Sequence, residues 1–575
     1  MSRRSTPRTP AKSRPEPPAS AGSQAKDKAA KRTTAAGPRA KDGGPVRTTG
    51  PPKPRQSATA AAPAVRPPAR STVAARRAAR GRTSGQRRQH EPGALDRLRR
   101  VPTAAWVCAV VAFLNAACWS VISPPFQVLD EPSHFAYVQH LAETGSLPTE
   151  SGLVFPPAEE TALEDLRYPA VREHPAVPTI SSYAAQHRLE HDLALPNSRT
   201  GNGNAGVATS EPPLYYALET IPYGLESGGT VLDRLALMRL LSAVMGGFTA
   251  LFAFLFLREA LPGARWAWTV GGLGVALAPL FGEMSGAVNP DAMLFAVSAA
   301  LFFCLARGFR RGITPRLAAA TGAVLAVGVS TKLNFVGLVP GAVLGVLALC
   351  ANEWRSSRRR AYRCLALALG IGASPIALYG IVNVFSGHPV GGAFAALVGF
   401  SREGGSLPGE IAYIWQFYLP RLPGMKSYFH DFPTTRVYWF DGFVGRYGWL
   451  DTTFPNWVYT AALIPAGLIA VLFARALFVY RGALHNRLSE ILVYCAISLG
   501  VLLIVGADDY LHKIPGEYAE PRYLLPMLAL WGAVLTLAAR GAGRRWGPVA
   551  GVAIVSLVLA HDIFSQLLVI SRYYR

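Results

Sequence analysis

The sequence predicts an all-α polytopic membrane protein with about 11 transmembrane helices and two long extracytoplasmic loops. Three observations predict it. Half of the 575 residues are hydrophobic and only 16% are charged, with a mean hydropathy of +0.22. That balance suits a multi-spanning chain better than a soluble one. Apolar segments near the ~20 residues needed to cross a bilayer recur from about residue 103 to the end. The arginine clusters between those segments all fall on one side of the resulting topology, as the positive-inside rule requires.

The net charge of +23 belongs mainly to residues 1–100, which hold 25 Lys and Arg against 5 Asp and Glu. This tail is rich in Ala, Pro, Arg, Lys, Ser, Thr and Gly and has almost no large apolar side chains. It is expected to be disordered, because it cannot bury enough surface to offset chain entropy. No apolar stretch follows its early arginines for about a hundred residues, so it is not expected to be a signal peptide. A cytoplasmic tail that fixes topology and lies on anionic lipid fits its charge. Without interleaved aromatics, no nucleic-acid partner is expected. The six cysteines form no CxxC pair and read as small buried hydrophobes.

Residues 101–575 form the expected transmembrane domain. Spans fall at about 103–123, 236–257, 266–282, 289–307, 316–331, 334–351, 362–385, 456–480, 488–506, 522–540 and 546–570. With a cytoplasmic tail, the loops bearing Arg258 and Arg265, Arg307 to Arg316, Arg355 to Arg363, Arg475 to Arg487, and Arg540 to Arg545 are all cytoplasmic. The C-terminus then lies outside, in a cell membrane crossed many times. The opposite side carries the first outer loop, 124–235, and the second, 386–455. Loops this long are functional or disordered, and their Trp, Tyr, Phe and Pro content predicts that they fold on the membrane surface.

Acidic residues are scarce in the membrane part. Asp130 and Glu131 sit just beyond the first span and are followed by His134. A carboxylate at a membrane surface can have its pKa tuned by desolvation and a neighbouring charge, which suits a general base. Asp before Glu-Pro is equally a good helix N-terminus, so both readings stand. The pair could also ligate Mg2+ or Mn2+, although nearby acids are too few to argue it. Lys332 at an outer turn and Arg522 at the start of a span are the cations best placed to neutralise a lipid-linked phosphate, with Arg446 a weaker candidate. For Arg522 a salt bridge to Glu517 or Glu520 is the structural alternative. The HRLEH run at 187–191 matches a zinc-peptidase pattern but has no evident third ligand.

Several motifs carry a resemblance. DEPSHF at 130–135 resembles the acidic motif opening the first outer loop of GT-C membrane glycosyltransferases, including the protein O-mannosyltransferases. EPPLYY at 211–216 and NPDAMLF at 289–295 resemble segments of lipid A aminoarabinose transferase-like proteins. QFYLPRLPGM at 416–425, GFVGRYGWLD at 442–451 and EPRYLLP at 520–526 resemble a family of uncharacterised bacterial multi-spanning membrane proteins related to that superfamily. The resemblance covers about 105–570. It implies a GT-C-like fold, a polyprenyl-phosphate-linked sugar as donor, and inverting transfer to an extracytoplasmic glycan, lipid or protein. Asp130 would be the base, with Glu131 beside it. His134, Glu211, Tyr215, Asn289, Asp291, Lys332, Arg446 and Arg522 would bind substrate. The chain is expected to depart from better-known members in its long second loop and in having no separate soluble C-terminal domain after the last span.

Two other classes compete with an enzyme. A transporter or flippase for lipid-linked saccharides would spread charges through the span interiors and show repeated halves; no repeat is seen here. A non-catalytic assembly component would have Asp130 packed into a helix cap with no cavity beside it.

Overall fold

The computed structural model describes residues 101–148, 153–179, 182–194, 204–385, 407–429, 435–511 and 520–574. The basic tail, residues 386–406 of the second loop, and Glu517 lie outside the described residues.

All of the expected apolar segments are helical, and their sequences explain where they start. The helix Val231–Ala260 opens with a capping box, in which Thr230 and Asp233 satisfy each other's backbone N–H groups. Pro315 occupies the first turn of Pro315–Val329, capped by the Thr314 hydroxyl. Among the described residues nine helices are long and apolar enough to cross a membrane. The expected span at 266–282 is instead a broken one: Arg265–Ala276 and Pro279–Ser285 meet at 58°. Pro279 is the cause, since it cannot donate to the preceding turn and disfavours a helical residue before it. Pro315–Val329, 15 residues long, is apolar but reaches only about 22 Å at ~1.5 Å per residue.

The helices Val231–Ala260 and Asp291–Arg311 form the centre of the bundle and Asn456–Val479 its periphery. Their most apolar stretches are 72%, 78% and 6% buried within the protein. Small residues let inner helices approach closely. A Cβ on Gly271 would lie 2.4 Å from the Gly532 carbonyl. Contrary to the buried-cysteine expectation, Cys118 and Cys495 face outward.

The two ends of the bundle differ in charge. At one end Glu259 pairs with Arg307, Arg310 and Arg311 at 3.7, 3.2 and 2.5 Å. Arg487 donates there to the Ala260 carbonyl, so three of the arginine loops share this end. At the other end lie Asp130, Lys332 and Arg522. The first helix runs toward this second end and the last helix finishes there, which makes the number of crossings odd. Short helices of the first outer loop and the hairpin 446–453 cover it. The hairpin pairs Arg446 with Thr453 and Tyr447 with Thr452.

Candidate functional site

Beyond the first helix the chain turns sharply, with Phe126 and Asp130 both in the left-handed region at φ 64° and 62°. Non-glycine residues held there carry strain that surrounding contacts must over-determine, and such residues cluster at functional sites. The contacts come from Arg239, in the N-terminal third of the helix Val231–Ala260. It donates to both Glu131 oxygens at 2.7 and 2.5 Å and to the carbonyls of Ser120, Ser123 and Pro124 at 2.8, 2.8 and 3.0 Å. Glu131 also accepts the Phe126 and Val288 amides at 3.0 and 3.1 Å. Asn289 donates to the Leu129 carbonyl at 3.3 Å.

The strained backbone separates the acidic pair. Glu131 is fully buried and its oxygens are occupied, so it holds the turn rather than facing a substrate. Asp130 makes no side-chain cap. Its carboxylate instead accepts from Arg522 Nη2 at 2.6 Å, while Asp130 still holds the N-cap position of the helix Glu131–Thr144 with Pro132 in the first turn, so the helix-start reading holds as well. With Glu131 committed to Arg239, the pair does not fit a shared metal. Among the described residues no cluster of three His, Cys, Asp or Glu side chains could hold one.

Asp130 lines a cavity of about 570 Å³ together with His134, Glu211, Lys332, Glu520, Arg522 and Tyr523. Five of the sequence candidates therefore converge: Asp130, His134, Glu211, Lys332 and Arg522. Arg522 also donates from Nε to Glu520 Oε2 at 2.5 Å, the pairing expected as its structural alternative. Its Nη1 is buried and has no hydrogen-bond partner among the described residues. Lys332 Nζ donates to Asp291 Oδ1 at 2.8 Å, and Asp291 Oδ2 is likewise unpartnered. Glu211 accepts the Leu333 amide at 3.1 Å.

The electrostatics follow from burial among these charges. Burial disfavours charge on Asp130, but Arg522 foremost, with help from Lys332, holds its carboxyl below the usual aspartate range. Burial pushes the His134 imidazole down to about 3, with Lys332 and Arg522 acting the same way. His134 is therefore neutral; its Nδ1 lies 2.9 Å from the Tyr216 hydroxyl. Glu211 is raised by burial, partly offset by Lys332 and the Leu333 amide. Glu520 is raised to about 6 by burial, against the pull of Arg522.

Other candidates lie elsewhere. Tyr215 turns away from the cavity to the Ser242 hydroxyl at 2.8 Å, and its neighbour Tyr216 takes the place beside His134. Asn289 and Asp291 are buried behind the wall, where they hold Leu129 and Lys332. Arg446 sits in the hairpin away from the cavity, which is lined instead by Trp449 and Leu450 of that hairpin and by Arg172 and Glu173 of the first loop. The Arg172 guanidinium carbon stands 3.8 Å from the Trp449 ring centroid. None of these four was legible as a site residue, nor was Arg239. A lone arginine inside an apolar span is nevertheless a recognisable signal. His187 and His191 lie on the solvent-facing side of the helix Tyr183–Leu193 and do not line the cavity.

Fold and site together define a helical polytopic membrane protein with a charged cavity at one end of its bundle. More particularly, the chain belongs to the family of predicted membrane proteins designated DUF2142, which it matches over residues 113–531. No curated protein matches it. Among solved structures it is similar to ArnT from Cupriavidus metallidurans bound to undecaprenyl phosphate, at 15% identity and a TM-score of 0.42. The match covers 78% of this chain and 63% of that one, so this chain spans less than two thirds of ArnT's length.

Proposed function

We propose that this protein is a GT-C-like glycosyltransferase. It moves a sugar from a polyprenyl-phosphate donor to an extracytoplasmic acceptor, which is a cell-envelope glycan, lipid or protein. One observation carries the reading: Asp130, Lys332 and Arg522 share a single cavity whose wall is part membrane span and part outer loop. Such a cavity can receive a donor whose tail stays in the bilayer and an acceptor arriving from water.

In the reaction Asp130 takes the proton from an acceptor hydroxyl. The oxygen attacks the anomeric carbon, and the bond from that carbon to the phosphate oxygen breaks with inversion. The departing phosphate carries the new negative charge toward Arg522, whose Nη1 has no hydrogen-bond partner among the described residues, and toward Lys332. Preorganised cations aimed at the charge that develops on a leaving group supply a large part of such a rate enhancement. The lowered pKa of Asp130 keeps the base ionised at neutral pH. Neutral His134, fixed by Tyr216, offers its other ring nitrogen to the acceptor or to Asp130 without adding a competing charge. Glu211, pushed toward its neutral form, is placed to hydrogen-bond a sugar hydroxyl.

The test is transfer of labelled sugar from polyprenyl-phosphate donors in membranes containing wild type or Asp130→Asn at equal expression. Transfer is expected to depend on the protein and to fall by about 10²–10⁴-fold in the variant, the usual contribution of a general base. Equal transfer by both would remove Asp130 as the base.

A further inference from the structure

The outer wall of the cavity comes from two segments far apart in sequence, 167–179 and 446–453. Neither has enough regular structure to hold its own shape. The first contains the four-residue helix Tyr168–Val171, and the second is a hairpin of two-residue strands. Their contact at the cavity is the Arg172–Trp449 stack. Behind that contact stands Arg572, near the end of the last helix.

Arg572 Nη1 donates to the Val177 carbonyl at 2.6 Å. Its Nη2 reaches the carbonyls of Val171 and His174 at 2.9 and 3.0 Å and Asp451 Oδ2 at 2.9 Å. The side chain is 4% exposed. A planar guanidinium fork can join several acceptors at once in a way that a lysine cannot. The adjacent Tyr573 carbonyl accepts both the amide and the hydroxyl of Thr179 at 3.1 and 2.9 Å. A second observation places the same helix end directly against the hairpin. Gly448 has φ 62°, and a Cβ there would lie 2.3 Å from the Tyr573 hydroxyl. Val171, Tyr447 and Tyr573 pack in one apolar cluster with Trp119 and Val569.

We propose that Arg572 is a positioning residue for the acceptor side of the cavity. It clasps 171–179 to Asp451 and so sets the Arg172–Trp449 wall that an acceptor meets on entering from water. The clasp does not touch Lys332 or Arg522, so donor binding does not depend on it. The acceptor role rests on the glycosyl-transfer reading; the clasp itself does not.

Full-length Arg572→Ala and Arg572→Lys, in detergent for exchange and lipid binding and in native membranes for transfer, test this. Amide hydrogen exchange at His174, Val177 and Thr179 is expected to quicken by about ten-fold or more in the alanine variant, because hydrogen bonds to a charged group are lost. Affinity for polyprenyl phosphate, read by native mass spectrometry, is expected to stay within about two-fold, while sugar transfer to endogenous membrane acceptors falls by about ten-fold. The lysine variant, which keeps the charge but not the fork, is expected to fall between. Unchanged exchange would overturn the clasp. Transfer and polyprenyl-phosphate affinity falling together would overturn its confinement to the acceptor side. A wild type that neither binds the lipid nor transfers sugar would remove the transfer reading and the acceptor role with it, leaving exchange alone to decide the clasp.

Discussion

Replacing Arg239 by Met isolates the contact on which the geometry of Asp130 depends. Methionine fits the apolar span but deletes all five hydrogen bonds to Glu131 and to the carbonyls of Ser120, Ser123 and Pro124. Glu131, 0% exposed, would keep only the Phe126 and Val288 amides. Removing one partner of a buried ion pair costs about 3–5 kcal/mol, because the remaining charge is left uncompensated. Neutralising that charge as well should recover part of the loss. Arg239→Met with Glu131→Gln is expected to remain destabilised by about 1–2 kcal/mol, the cost of orphaned carbonyls. Unfolding of detergent-solubilised protein in a denaturant series, monitored by tryptophan fluorescence, gives the ranking of wild type, double variant and single variant. The single variant should also lose transfer although Asp130 is intact, since Arg239 makes five of the hydrogen bonds that hold the left-handed backbone at Asp130. A single variant within about 1 kcal/mol of wild type, or a double variant less stable than the single, would refute the argument.

Three further outcomes are expected. Glu520, raised to about 6, gives up its hold on Arg522 as pH falls through 6, so polyprenyl phosphate should bind more tightly at pH 5.5 than at 7.5 relative to a Glu520→Gln control. A pH dependence identical in the two proteins would count against it. The sign for folding is the same: burial disfavours the charged carboxylate, so this group favours the folded state most below its unfolded pKa and loses that contribution as pH rises through about 6. Asp130 acts oppositely, because its lowered pKa contributes stability above the unfolded value that is lost as pH falls through the folded one. Gly448→Ala should destabilise by about 1–3 kcal/mol through the positive φ and the clash with Tyr573; an unchanged denaturation midpoint would refute this. For orientation, an impermeant maleimide added to intact cells should label Glu173→Cys but not Ser357→Cys in a background lacking exposed Cys118 and Cys495. The reverse pattern would invert the topology.

The helices were legible because a bilayer demands long apolar runs, and such runs leave a signal that needs no knowledge of neighbours. The break at Pro279 was written in the sequence too, but the surrounding apolarity reads as continuous. Lys332 and Arg522 stood out by the scarcity of basic residues on the expected outer side, and the two line one cavity. Resolution was lost between adjacent residues. Tyr215 and Tyr216 differ by about 100° around a helix, and only packing decides which of them meets His134. Arg172 and Trp449 were beyond reach because they belong to irregular loops held by Arg572, which lies about 120 positions beyond the second loop segment and about 400 beyond the first.

The separation of Asp130 from Glu131 shows most clearly why a motif underdetermines a mechanism. Read as a string, the two carboxylates form one acidic unit, apt for a shared proton or a shared metal. The left-handed backbone at Asp130 sends them to different arginines, Arg522 at the cavity and Arg239 inside the bundle. One carboxylate is then free to exchange partners when an anion competes for Arg522, while the other is locked by four hydrogen bonds and cannot. That asymmetry divides the labour physically: Glu131 absorbs the strain of the turn, and Asp130 stays ionised and displaceable. A phosphate arriving at the unpartnered Nη1 of Arg522 would weaken the guanidinium's hold on Asp130 and raise its basicity as the acceptor hydroxyl comes within reach. On the proposed glycosyl-transfer reading, binding of donor and activation of the base are thus coupled through a single side chain.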